Sequence, residues 1–128
     1  MREIKFRGKR TDNGEWIYGD LMQNVDCVKI REQEKNVKHI AKSFEIDPET
    51  FGQFTGLKDK NGTMIWEGDI VKHYNNAVYE IIYITKFARF AGRNSNCIFA
   101  SISFGNTEVI GNIHDNSEEL LKGGVDNG

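Results

Sequence analysis

The chain has 128 residues, with 17 Lys and Arg against 19 Asp and Glu, 38% hydrophobic residues and 28% charged ones. That balance excludes a disordered polymer, and the length fits one domain, or two very small lobes sharing a core, stable without cross-links. Apolar runs such as Ile81 to Ile84 are far too short to cross a bilayer, and thirteen glycines beside one proline, Pro48, point to short strands joined by tight turns.

From the N-terminus, Met1 to Arg7 alternates charged and apolar residues and shows no signal-peptide run. A cytoplasmic protein is therefore expected, with Cys27 and Cys97 as reduced thiols. Phe6-Arg7-Gly8 followed by Asn13-Gly14 returns 48 residues later as Phe54-Thr55-Gly56 followed by Asn61-Gly62, with Ile17 matching Ile65. The first copy continues as Tyr18-Gly19-Asp20-Leu21. The second reads Trp66-Glu67-Gly68-Asp69-Ile70, with Glu67 as an added residue. Each copy reads as a hairpin: an extended arm, a type I′ turn at the Asn-Gly pair, then an aromatic and branched arm bending at Gly-Asp. An extra residue in one strand is the sequence form of a β-bulge, so Glu67 is expected to re-aim the strand that enters Ile70 and Val71.

Between the copies, residues 27–30 and 37–40 read as strand arms flanking a charged tip. Asp47-Pro48 then supplies an N-cap and a first-position proline for one short helical turn. After Ile70, residues 78–84, 97–104 and 108–113 are rich in β-branched and aromatic residues and are separated by turn chemistry. Asp115 to Leu121 reads as a short helix start, and Gly123-Gly124 as its stop.

The fold expected is mainly β, with one or two short helical turns. Residues 1–68 form an N-terminal β region holding the first motif copy and the second hairpin. Residues 69–122 form a small SH3-like barrel, and residues 123–128 a frayed tail.

The ordered motifs Arg2 to Lys9, Trp16 to Leu21, Gly52 to Gly62, Ile65 to Val71 and Val109 to Asn116 together resemble the YopX family over nearly the whole chain. Residues 24–44 and 85–100 carry least of the likeness. The resemblance implies a small, mainly β protein of bacteriophages and prophages of low-GC Gram-positive bacteria. It brings no established activity and no catalytic residues.

Candidate chemistry is sparse. Gly19-Asp20 and Gly68-Asp69 would pair carboxylates for metal or acid–base work if the copies met. The reading adopted is structural: Gly14, Gly19, Asp20, Gly62, Gly68 and Asp69 serve turns, with aspartate accepting backbone N–H groups. His39, His73 and His114 lie on separate segments without ligand spacing, so no metal or cofactor is assigned. Nucleophile and phosphate-loop motifs are absent, so no catalytic residue is assigned and the chain is read as a non-enzyme.

The strongest binding signal is charge segregation. Residues 81–107 hold Lys86, Arg89 and Arg93 with no acid, and Phe87 and Phe90 lie among them. Such a segment could track a phosphate backbone while its rings stack on bases. Residues 1–10 add Arg2, Lys5, Arg7, Lys9 and Arg10 against Glu3. The net charge of -2 runs against nucleic acid. The expected function is a non-catalytic binding module for a protein partner or a second copy of itself, with single-stranded nucleic acid as the alternative and a cryptic enzyme using Asp20 and Asp69 as the third.

Overall fold

The computed structural model describes residues 3–32, 42–74, 76–95 and 103–115. The second strand arm at 37–40, nearly all of the strand expected at 97–104, the C-terminal helix beyond Asp115 and the tail 123–128 lie outside the described residues. The chain divides into two compact units, Met1–Phe54 and Thr55–Gly128, so the second hairpin falls in unit 2.

Unit 1 begins with β1 (Phe6–Lys9) and β2 (Trp16–Gln23), paired antiparallel from Phe6↔Gly19 to Lys9↔Trp16. Side chains alternate across this ladder, so Ile17 enters the core while Trp16 and Tyr18 take the other face. The connection is a four-residue loop. Arg10 N donates to Glu15 O at 2.9 Å and Gly14 N donates to Arg10 O at 2.9 Å. Gly14 has φ +72°, but Asn13 is not in the positive-φ region. A type I′ turn needs positive φ at both central residues, so that expectation is corrected.

At Gly19 the strand changes partners: β1 pairs up to Gly19, and β3 (Val28–Arg31) pairs from Asp20↔Arg31 onward. Gly19-Asp20 thus lies inside a continuous strand rather than at the expected bend. Glycine is needed there for clearance, because a Cβ would run into the carbonyl oxygen of Arg31. β3 pairs in turn with β4 (Ser43–Ile46), a strand the sequence reading missed, in the register Val28↔Ile46 to Arg31↔Ser43.

Asp47-Pro48 starts a 3-10 turn over Pro48–Thr50, and the Asp47 side chain accepts from Glu49 N at 3.0 Å. Thr50 Oγ1 accepts from Lys9 N at 2.8 Å, holding this turn to β1. The chain then enters β5 (Gly52–Lys58), which pairs with β1 at Phe6↔Gln53 and Arg7↔Gly52 before crossing into unit 2. One bridge, Arg10↔Ile46, ties β4 back to the end of β1 and curls the sheet without completing a ladder. Ile17, Ile30 and Ile46 form the core of this unit, packed by Phe6, Leu21, Val28, Phe44 and Phe51.

Unit 2 opens with the end of β5 and β6 (Met64–Trp66). Asp59 N donates to Thr63 O at 2.8 Å and Gly62 N to Asp59 O at 3.0 Å. With Gly62 at φ +83°, this is a three-residue loop closed by a left-handed glycine, again not type I′. β6 stops at Trp66, and Glu67-Gly68 turns the chain into β7 (Asp69–His73). Glu67 is therefore part of a tight turn rather than a bulge. Gly68 takes φ +92°, Asp69 Oδ2 accepts from Trp66 N at 2.8 Å, and Gly68 N donates to Ile81 O at 2.8 Å.

β7 pairs with β8 (Val78–Ile84), β8 with β9 (Arg89–Arg93), and β7 on its other side with β10 (Thr107–Asn112), giving the order β10-β7-β8-β9. Among the described residues β9 and β10 end this order unpaired with each other, so the barrel expected over 69–122 is an open sheet here. Phe104, expected at a strand end, starts a 3-10 turn over Phe104–Asn106. The register slips between Val109 and Gly111 in β10. Ile65, Val71, Ile81 and Phe104 form the core, with Tyr79, Phe90 and Val109 packed on it.

Candidate binding surfaces

The β8–β9 hairpin positions the basic and aromatic segment. Its strands pair from Glu80↔Arg93 to Ile84↔Arg89. The four residues between Ile84 and Arg89 make a 3-10 turn over Thr85–Phe87, then Ala88 in the left-handed region (φ 51°, ψ 47°), whose N–H closes on Thr85 O at 3.2 Å. Neither glycine nor proline shapes this tip. Bulky side chains occupy it instead, and Phe87 is 53% exposed. Lys86 Nζ and Arg89 Cζ each stand 5.9 Å from the Phe87 ring centre, at the outer edge of cation–π range. Neither has an ion pair among the described residues, whereas Lys5, Arg10, Arg31, Lys60 and Arg93 all do.

The other two predicted residues leave the tip. Phe90 is half-buried, meets Tyr83 edge to face at 5.1 Å and packs on the core of unit 2. Arg93 lies opposite Glu80 and donates to it at 2.9 Å. The structure therefore brings together Lys86, Phe87 and Arg89, and separates Phe90 and Arg93 from them.

The basic N-terminal residues are engaged within unit 1. Lys5 lies 3.8 Å from Glu3. Arg7 is 5% exposed and stacks on Trp16 at 4.5 Å, and Lys9 approaches the same ring at 5.4 Å. Arg10 lies 3.9 Å from the Phe44 ring centre and forks onto Asp12 through Nε at 2.9 Å and a terminal nitrogen at 2.7 Å. That fork raises the Arg10 pKa and lowers that of Asp12. Arg2 lies outside the described residues.

The two Gly-Asp pairs do different work. Asp20 sits mid-strand, 3.5 Å from Arg31. Asp69 holds the Glu67-Gly68 turn through the Trp66 amide. Among the described residues no group of three His, Cys, Asp or Glu side chains comes together, and no helix is long and apolar enough to cross a membrane.

The sequence reading did not single out Asp59. Its side chain is buried, with Oδ1 accepting from Asn61 N at 2.8 Å and Thr63 N at 2.9 Å, and Oδ2 accepting from Val109 N at 2.9 Å. Burial alone would push its pKa up. The amides of Val109, Thr63 and Asn61, with the Lys60 charge, outweigh that and hold it below its ordinary value. The available signal was an aspartate two residues ahead of Asn-Gly, an arrangement suited to an Asx turn.

A family model described as YopX protein matches residues 5–122. The chain belongs to the YopX family. No curated protein matches this YopX-family chain. Among solved structures it is similar to protein EF1440 from Enterococcus faecalis, with 27% identity and a TM-score of 0.56 over 94% of this chain and 99% of that one.

Proposed function

We propose that this YopX-family chain is a non-catalytic accessory protein of a phage or prophage, acting in the host cytoplasm by binding a protein partner through the β8–β9 tip. The observation that carries this is Phe87, 53% exposed on a hydrogen-bonded hairpin and bracketed by two cations without ion pairs among the described residues. An exposed aromatic with adjacent arginine is the composition of an interface anchor, and the cations select an acidic surround. Single-stranded nucleic acid is the weaker reading. With Phe90 half-buried against the core and Arg93 on Glu80, three residues remain where a groove tracking several nucleotides would need a longer rail.

The SH3-like element of the reading fits unit 1 better than unit 2. Unit 1 has the strand order β5-β1-β2-β3-β4, with a 3-10 turn between β4 and β5. The 48-residue offset is read as one hairpin plan used twice, with different loops and different exits. Neither point bears on activity, since one fold serves many functions.

The test compares the intact chain with Phe87→Ala and with Lys86→Glu/Arg89→Glu as immobilised baits in host lysate. A protein retained by the native chain and lost with both variants supports the proposal. Identical capture by all three overturns it. Anisotropy with single-stranded oligonucleotides at two salt concentrations decides the alternative: salt-sensitive binding abolished by the same variants would favour nucleic acid.

A further inference from the structure

The β1–β2 and β5–β6 loops both carry Asn-Gly, but they hold the asparagine side chain differently. An asparagine amide can close on the backbone nitrogen of the next residue, and glycine, lacking a Cβ, leaves that approach open. The two glycine nitrogens are engaged alike: Gly14 N donates to Arg10 O at 2.9 Å and Gly62 N to Asp59 O at 3.0 Å. The asparagine side chains are not. Asn13 is held at both ends, its Oδ1 accepting from Glu15 N at 2.9 Å and its Nδ2 donating to Glu15 Oε2 at 3.4 Å. Asn61 is exposed, and its backbone N–H donates to Asp59 Oδ1 at 2.8 Å, while its side-chain amide has no hydrogen bond among the described residues.

We infer that Asn61 is a site of spontaneous deamidation in the folded protein and that Asn13 is protected from it. Gly62 N loses its proton to solvent and attacks Asn61 Cγ; the N–Cγ bond forms, the Cγ–Nδ2 bond breaks, and the amide nitrogen takes up a proton and leaves as ammonia. Water then opens the cyclic imide at either carbonyl. One opening leaves aspartate; the other leaves isoaspartate, whose main chain runs through Cβ and Cγ and is one carbon longer. Water is the only co-reactant, and nothing is oxidised or reduced. Freeing the Gly62 nitrogen takes a local opening of the loop, and freeing that of Gly14 takes the same. At Asn13 the side chain must also leave Glu15. The longer main chain matters at 61 because Asp59 Oδ1 accepts from both Asn61 N and Thr63 N, at 2.8 and 2.9 Å, and Asp59 N donates to Thr63 O at 2.8 Å. Isoaspartate inserts its carbon between those two amides, so one of the two bonds is lost, and the carboxylate that also holds Val109 in β10 is loosened.

The test incubates the native chain and the chain unfolded in guanidinium chloride side by side at mildly alkaline pH, and follows each Asn-Gly peptide by mass spectrometry. Dividing each native rate by its unfolded rate cancels the influence of neighbouring residues. Asn127-Gly128 lies outside the described residues, and its peptide is quantified separately. On this ratio Asn61 should convert roughly two- to tenfold faster than Asn13, the weight of one net hydrogen bond. Asn61→Gln, whose longer side chain closes poorly on the next nitrogen, should suppress conversion in that peptide. Equal ratios or a higher ratio at Asn13 overturn the inference, as does an Asn61 that stays intact in the native chain while the unfolded chain converts. The isoaspartate form, separated by its added charge, should have a lower midpoint in urea than Asn61→Asp, which carries the same charge on a main chain of normal length. Equal midpoints would overturn the effect assigned to the longer loop.

Discussion

Asp59 accepts three backbone N–H bonds from two separate stretches of unit 2, its own hairpin loop and β10. Two carboxylate oxygens can do this; the single oxygen of an amide cannot, and its NH2 would face a donor. Asp59→Asn is therefore expected to cost about 2 to 3 kcal/mol, the scale of hydrogen bonds to a charged acceptor, read as a lower midpoint in urea with unchanged slope. A change of slope instead would mean that the denatured or native ensemble had moved. Gly19 is constrained for a different reason. A Cβ there meets the backbone carbonyl of Arg31, which is fixed in the β2–β3 ladder and cannot rotate away as a side chain would. Gly19→Ala should cost about 3 kcal/mol or more, whereas Gly56→Ala, with open space around its Cβ position and only φ +87° against it, should cost about 1 to 2 kcal/mol. Thermal unfolding of the pair separates crowding from conformational strain.

Hairpins were the elements most legible in the sequence. Asn-Gly between alternating arms located both, and Val78 to Ile84 emerges as β8 with those bounds. What could not be read was loop length, because Asn13-Gly14 and Asn61-Gly62 look alike while their neighbours, Arg10 and Asp59, close loops of four and three residues. β4 was hidden by the strong helix-start signal of Asp47-Pro48 beside it, although Phe44 and Ile46 do alternate. Glu67 read as a bulge and forms a turn instead. The Asp69 carboxylate on the Trp66 amide closes that turn, a contact that no spacing displays. At the binding tip, the separation of Phe90 and Arg93 from Phe87 depends on the cross-strand neighbours Tyr83 and Glu80, which only the register supplies. The tip itself carries a conformational cost: Ala88 is left-handed at φ 51°. Ala88→Gly should therefore raise stability by about 0.5 to 1 kcal/mol, the left-handed penalty offset in part by the entropy of glycine in the unfolded chain. If association requires the preformed tip, the same change should weaken it by loosening the hairpin end. A variant more stable in denaturant and unchanged in association would show that the tip need not be rigid.

For the whole molecule, acid is the condition that links the internal bonding to global stability. Asp59 has a folded pKa below the ordinary 3.8 of an aspartate, because its charged form is held by amides that the unfolded chain does not present. At a pH above the unfolded value the carboxylate is ionised in both states, and its contribution to stability is fully present. As pH falls past that value the unfolded chain takes up the proton first, so the contribution shrinks, and it is gone once the folded carboxyl is protonated too. Unfolding free energy should thus be nearly flat with respect to this group from neutral pH to about 5, and then fall steeply below about 4. Asp59→Asn removes the titration and should flatten that limb while lowering the plateau, so that the two curves converge in acid. Curves that stay parallel down to the lowest pH would mean that other carboxylates govern acid unfolding.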